Sequence, residues 1–290
     1  MNWERWRIPV MLTPMMLVIV LLFFGGIGYG LLQSLGYQPR IGNFDLSLDA
    51  YANILFSDRL RDQFWSGLLL TLWVSFASTF LSAVVAVAAA LLLRQTFIGK
   101  RLSSFLFQIN LPIPHVVGAV GVLFLFSQSG FLSRLLAQPG IVASPSDFPI
   151  VVRDPYGFGI ILAYLWKEVP FIGIIVLAVL QSLGEDYENL AASLGANRWQ
   201  RFRYVVLPLI LPGLLSASII VFAFVFGAYE TPALLGVRYP RMLPVTAVRF
   251  FLDRDLNARS EGMALSMIVT GIVVVLVIAY MAISRRVRGD

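Results

Sequence analysis

Five long runs of the chain carry no Asp, Glu, Lys or Arg: 8–39, 63–93, 102–133, 204–229 and 262–284. A sixth, 155–184, is interrupted only by Lys167 and Glu168. A helix needs about 20 apolar residues to cross roughly 30 Å of hydrocarbon, and each run is long enough. Inside a bilayer every backbone polar group needs an internal partner, so only helices and closed barrels cross it. Barrel strands alternate apolar and polar residues over about ten positions, and none of these runs alternates. The pattern predicts an all-α membrane protein with six transmembrane helices. Arg5 and Arg7 precede the first apolar stretch, 8–32, in the manner of a signal peptide. That stretch exceeds the usual core of about 7–15 residues and no small-x-small site closes it, so it is read as a helix.

Composition narrows the classes further. Charged residues make up 13% of the 290 and hydrophobic residues 58%, against roughly a quarter charged in a soluble domain. A water-soluble domain and a disordered chain are both excluded. There is no cysteine and one histidine, His115, so disulfides, thiol catalysis and Cys- or His-cluster metal sites drop out. No G-x-x-x-x-G-K-[ST] phosphate loop occurs, nor a G-x-S-x-G nucleophile elbow. With the N-terminus inside, Lys and Arg number 11 on the inner side and 10 on the outer, five of the latter within 238–259. This bias normally sets topology and here is nearly even. The cluster Arg94, Lys100, Arg101 and the tail Arg285, Arg286, Arg288 favour both ends inside.

Prolines punctuate three spans: Pro112 and Pro114 in the third, Pro170 in the fourth, Pro208 and Pro212 in the fifth. Each removes a donor and kinks a helix, which predicts a bundle with a cavity. The plainer alternative is that proline is common in membrane helices. The outer loop 33–62 is polar, and 134–155 holds four prolines. The chain reads as helix 1 with its outer loop, 1–60, and a core of helices 2–6, 61–290. That core contains an inner loop, 184–204.

The inner loop reads GEDYENLAASLGANRWQRFRY. Tyr187, Leu190, Ala191 and Leu194 recur at i, i+3, i+4, i+7, one helical face. Glu185, Asp186 and Glu188 stand in the first turns, where negative charge suits the helix dipole. Gly195 stops or bends the helix. Trp199 and Phe202 then mark a second short apolar face beside Arg198, Arg201 and Arg203. Such a segment lies on a membrane surface or fills a groove on a soluble partner. The acidic first half suits anionic lipid poorly, which favours the partner.

This loop resembles the EAA loop of bacterial ABC importer permeases, EAA-x3-G-x9-I-x-LP. Gly195 matches the glycine, and Val205, Leu207 and Pro208 match its I-x-LP end. The E-A-A positions hold Asn189, Leu190 and Ala191, with Glu188 one place early. WKEVPF at 166–171 and GAYETPALLG at 227–236 look like the spermidine/putrescine branch. The similarity covers roughly residues 60–285. It implies a type I, methionine-permease-like fold in a bacterial inner membrane, paired with a second, different permease. It also implies a cytoplasmic ATPase dimer that holds the ATP and Mg, so this chain itself carries no cofactor, and an extracytoplasmic binding protein. Surrounding lipid is the remaining partner, and no nucleic acid is implied. Glu188, Asn189, Leu190, Ala191, Leu194, Gly195, Ala196, Trp199, Arg201, Leu207 and Pro208 would form the ATPase-coupling loop.

Lys167 and Glu168 fall about midway along the fourth span, where an ionised group is costly unless paired or wet. They are read either as substrate-pathway residues or as a structural pair. Tyr229 and Glu230, taken as the end of the fifth helix, are further pathway candidates. His115, after Pro114, is more readily packed or hydrogen-bonded than catalytic. The basic segment 238–259 invites an anionic solute or a contact with the binding protein, and the interspersed Asp253, Asp255 and Glu261 favour the contact. The resulting expectation is a permease subunit of an ABC importer for a small polar solute, polyamine first, with no enzymatic centre. The alternatives are a stand-alone secondary transporter or channel, which usually shows internal repeats, and an importer for an anion such as a phosphonate. A non-transporting scaffold would leave the kinks and midplane charges without a purpose.

Overall fold

The computed structural model describes residues 3–183 and 186–288, with side chains for all of these except 3–6, 40, 183 and 283–288. Gly184 and Glu185, which open the expected coupling loop, lie outside the described residues, as do several side chains of the charge count (Arg5, Arg40, Arg285, Arg286, Arg288). Regular structure among the described residues is helical. The first helices are α1 (Trp3–Ser34), α2 (Asp49–Phe56), α3 (Arg61–Arg94), α4 (Lys100–Gln108), α5 (His115–Phe126) and α6 (Phe131–Ala137). They are followed by α7 (Phe158–Leu183), α8 (Asp186–Ser193), α9 (Arg198–Arg201), α10 (Leu207–Gly227), α11 (Glu230–Leu235), α12 (Leu243–Phe251) and α13 (Ala258–Arg288). Six stretches are long and apolar enough to span a bilayer: Arg7–Ser34, Arg61–Arg94, His115–Ala137, Phe158–Ser182, Arg198–Gly227 and Ala258–Ala282.

The third span departs from the expectation of one kinked helix over 102–133. Pro114 disfavours helical backbone at Ile113, and neither Pro112 nor Pro114 has an N–H to give. The helix therefore breaks outright. α4 ends at Gln108, and α5 restarts at His115 with Pro114 as its N-cap (φ −59°, ψ 146°). Residues 102–108 of the run, outside the span, belong to the short α4, and 109–114 form the break. Pro170 and Pro212, by contrast, stay inside the continuous helices α7 and α10. Pro208 is absorbed by a π-helical turn, Phe202–Val206, that joins α9 to α10 without a break.

The chain divides into two compact units, 1–65 with 246–271, and 66–245 with 272–290. In the first, α1 keeps Ile8, Met11, Leu22 and Phe23 exposed, as suits a helix whose solvent is hydrocarbon. Ser34 Oγ lies 2.8 Å from the Tyr51 hydroxyl. Gln38 Nε2 donates to Ser260 Oγ at 2.6 Å. Gly262 admits α12 closely: a Cβ there would lie 2.7 Å from the Ala247 carbonyl oxygen.

In the second unit the core is built on α7, with Ile160, Tyr164, Ile172, Val176 and Leu180 buried, together with Ile210, Val221 and Val225 of α10. α3 turns a face of small hydroxyls inward, Thr71, Ser75, Ser78, Thr79 and Ser82, all buried. Small side chains let membrane helices approach closely. Thr71 Oγ1 donates to the Gly67 carbonyl at 2.6 Å and accepts from the Leu243 N–H at 2.9 Å.

Candidate functional site

Two places in the second unit concentrate chemistry. The first is the proline break between α4 and α5, facing α7. Pro170 has no N–H, so the carbonyl of Trp166, four residues earlier, loses its helical partner. Asn110 Nδ2 donates to that carbonyl. In return, Lys167 Nζ donates to the carbonyls of Asn110 (2.7 Å), Leu111 (2.7 Å) and Ile113 (2.5 Å). An ammonium has three donors, and all three are used. Glu168 meets the first residue beyond the break: its Oε1 lies 3.0 Å from His115 Nε2. Lys167 and Glu168 are both buried. Lys167 meets backbone carbonyls, while Glu168 meets His115 at the start of the neighbouring α5. Each holds one end of the broken segment. The Trp166 ring packs on Gly118, where a Cβ would lie 2.6 Å from it. The His115 ring sits 4.6 Å from that of Phe224 on α10.

Lys167 and Glu168 are legible in the sequence as charges near the middle of a span; Asn110 is not among the residues it singles out. Its signal was the proline pair itself, because a broken helix next to a proline-containing one leaves carbonyls that need donors.

The second place is the elbow after α8. Gly195 has φ +87°. Its N–H bonds the Ala192 carbonyl at 2.9 Å, and the Ala196 N–H bonds that of Ala191 at 3.0 Å, a paired closure of the helix end. Asn197 then caps α9: Gln200 N–H donates to Asn197 Oδ1 at 2.9 Å, and Asn197 N–H donates to Gln200 Oε1 at 2.8 Å. This reciprocal cap was readable as N-x-x-Q and was missed. Around the locked elbow Tyr187, Leu190, Leu194, Trp199 and Tyr204 are exposed, Leu194 to 83%. Ala191, Ala196, Arg201 and Leu207 are half-buried, while Asn189 and Pro208 are exposed. Glu188 Oε1 accepts from Arg94 Nη1, at the end of α3, at 2.5 Å.

Tyr229 and Glu230 belong to a different element from the one expected. α10 ends at Gly227, Ala228 is extended (ψ 137°), and Glu230 opens α11. Pro232, which suits a first turn and not a helix interior, explains the restart. Tyr229 and Glu230 are exposed, and no hydrogen bond or ion pair joins them to Glu168 among the described residues. Beside α11 opens a cavity of about 460 Å³ lined by Arg153, Arg238 and Arg241 with Pro232, Gly236 and Val245. Arg153 N–H donates to the Leu235 carbonyl at 2.8 Å. Since α7 and α10 each run between this end and the elbow end, the two sites lie at opposite ends of the unit.

The family model described as "Binding-protein-dependent transport system inner membrane component" matches residues 82–289. The inner membrane ABC transporter permease protein YdcU of Escherichia coli is 29% identical over 244 residues, covering 80% of this chain and 77% of that one. The sulfate transport system permease protein CysT of Salmonella typhimurium is 30% identical over 183 residues, 63% of this chain and 62% of that one. Among solved structures, a bacterial ABC transporter involved in the import of the acidic polysaccharide alginate aligns with TM-score 0.80 and 21% identity. That alignment covers 98% of this chain and 96% of the other. The expected fold, an all-α permease of the type I importer kind with six spans, is the one found. The chain belongs to the family of binding-protein-dependent transport system inner membrane components, as the permease subunit of an ABC importer for a small solute.

Proposed function

We propose that 184–204 is the loop through which an ATPase dimer drives this permease, with both chain ends and the elbow on the cytoplasmic side. The observation that carries the reading is the rigid, apolar, uncovered elbow. Large side chains stay exposed on a turn locked by a glycine closure and a reciprocal cap, the form of a preorganised insert for a groove. ATP-driven closure of the ATPase pair would then rock the permease between two states by differential contact. A second permease subunit, of different sequence, completes the pathway, and an extracytoplasmic binding protein delivers the solute to the opposite end. Mild-detergent purification from the native membrane tests this. Co-purification of an ATPase, a second permease and a binding protein supports the reading. A chain that runs alone, without nucleotide-stimulated activity, would overturn the coupling-loop reading.

For the solute, the polyamine reading rests on carboxylates. Lys167 is consumed by backbone carbonyls, so the carboxylates that would meet a cation are Glu168, already against His115, and the exposed Glu230. The W-K-x-x-P-F stretch gives it less support than its motif suggested, because Trp166, Lys167 and Pro170 are engaged in holding the break. A second reading, an anionic solute, is favoured by the three arginines of the outer cavity and by the sulfate named for CysT. Uptake of labelled spermidine and labelled sulfate into vesicles, with Glu168→Gln/Glu230→Gln and with Arg238→Gln, separates the two. Loss of spermidine uptake alone in the first variant supports the cation. Loss of sulfate uptake alone in the second supports the anion.

A further inference from the structure

We propose that the ion pair between Arg94 and Glu188 is a drive link that makes the end of the second span follow the coupling helix. It rests on the ATPase-docking reading above. α8 is joined by the chain to α7 on one side and, through the Gly195 elbow, to α9 and α10 on the other. α3 has no such connection, since Arg94 and Glu188 are 94 positions apart. Their bond, Nη1 to Oε1 at 2.5 Å with side chains 16% and 23% exposed, supplies one.

The pair is built to bear load. Arg94 is the last residue of α3, and Lys100 Nζ closes its carbonyl at 3.3 Å, so force enters a capped helix end and not a fraying one. The ion pair borders a narrow crevice with Leu180, Tyr187, Val206 and Leu209. The low exposure of both side chains keeps off much of the water that weakens exposed pairs. Removing Arg94 would take the cation from a half-buried Glu188 carboxylate, which is costly.

The pair also accounts for the departure from the family motif. The motif's glutamate position holds Asn189, and the acid sits one residue earlier at Glu188. One residue is about 100° around a helix. The shift turns the carboxylate to the face toward α3, so the chain uses it internally.

The chain has no cysteine, so Gln95→Cys and Ser193→Cys, both at exposed positions, give a clean pair for nitroxide labels. The pair would be measured in the complex with its co-purifying ATPase, nucleotide-free and trapped with Mg-ATP and vanadate. With the ion pair intact, one narrow distance, unchanged on trapping, is expected. Arg94→Ala or Glu188→Ala should broaden that distance and shift it on trapping, and Glu188→Gln, which keeps the side-chain shape, should do the same. The exchange Arg94→Glu with Glu188→Arg should restore the narrow distance. A distance that shifts on trapping with the pair intact, or one that stays narrow and fixed in Glu188→Ala, would overturn the link while leaving ATPase docking standing. A labelled chain that purifies with no nucleotide-binding partner would overturn the docking reading and the link together.

Discussion

Asn110 donates its side-chain amide to the carbonyl of Trp166, the carbonyl that Pro170 deprives of its helical donor. The two residues are 56 positions apart, and the bond joins two proline-disrupted stretches that each supply what the other lacks. In water either defect would be mended by solvent. In hydrocarbon there is none, so the repair must come from the protein.

Asn110→Ala should therefore destabilise the protein by about 1–3 kcal/mol, the cost of an orphaned buried acceptor. The same change in a Pro170→Ala background should cost less, because that second substitution returns a backbone N–H to the Trp166 carbonyl. Thermal unfolding in detergent of the two single variants and the double variant gives the coupling. Additive costs would show that Pro170 is not the reason for the bond.

Lys167→Met keeps the unbranched apolar stem, one atom shorter, and removes the ammonium. Three carbonyls lose their donor, and a loss of about 3 kcal/mol is expected, since hydrogen bonds to charged groups contribute about 1.5–3 kcal/mol. If Lys167 holds the break, stability falls and uptake of every solute falls with it. Full stability with selective loss of one solute would return Lys167 to the translocation path.

Gly195→Val meets no steric obstacle, as nothing lies within 4 Å of a Cβ there. Its cost is conformational: φ is +87°, and a left-handed backbone costs an L-residue roughly 1–2 kcal/mol, more when β-branched. Gly195→Asn should be better tolerated than Gly195→Val. ATPase retained after detergent extraction should fall in the order Gly, Asn, Val, with the chain still inserted in the membrane.

Asn197→Ala removes the cap of α9, worth about 1 kcal/mol. The elbow should loosen without unfolding the spans. Amide hydrogen exchange at 197–201 should accelerate while exchange in α10 stays slow, and ATPase retention should weaken severalfold.

The spans were legible because the bilayer imposes one rule on long stretches: about 20 residues without uncompensated charge. The elbow was legible because its face and its glycine are local, set by positions three and four apart. The third span was misjudged because absence of charge marks apolarity and not helix continuity. Residues 102–114 satisfy the first, while Pro112 and Pro114 deny the second. Glu230 was placed at the end of α10 for the same reason, since the apolar run extends past the residue where the helix stops.

The crossing number, the breakers and the glycine elbow are all properties of neighbours along the chain. The contacts of the midspan charges come from folding. Lys167 and Glu168 face carbonyls and a histidine on another segment, and Arg94 meets Glu188 across 94 positions. In a medium without water, a charge takes its role from whichever group lies within about 3 Å of it. Chain folding brings that group there, and no local pattern records it.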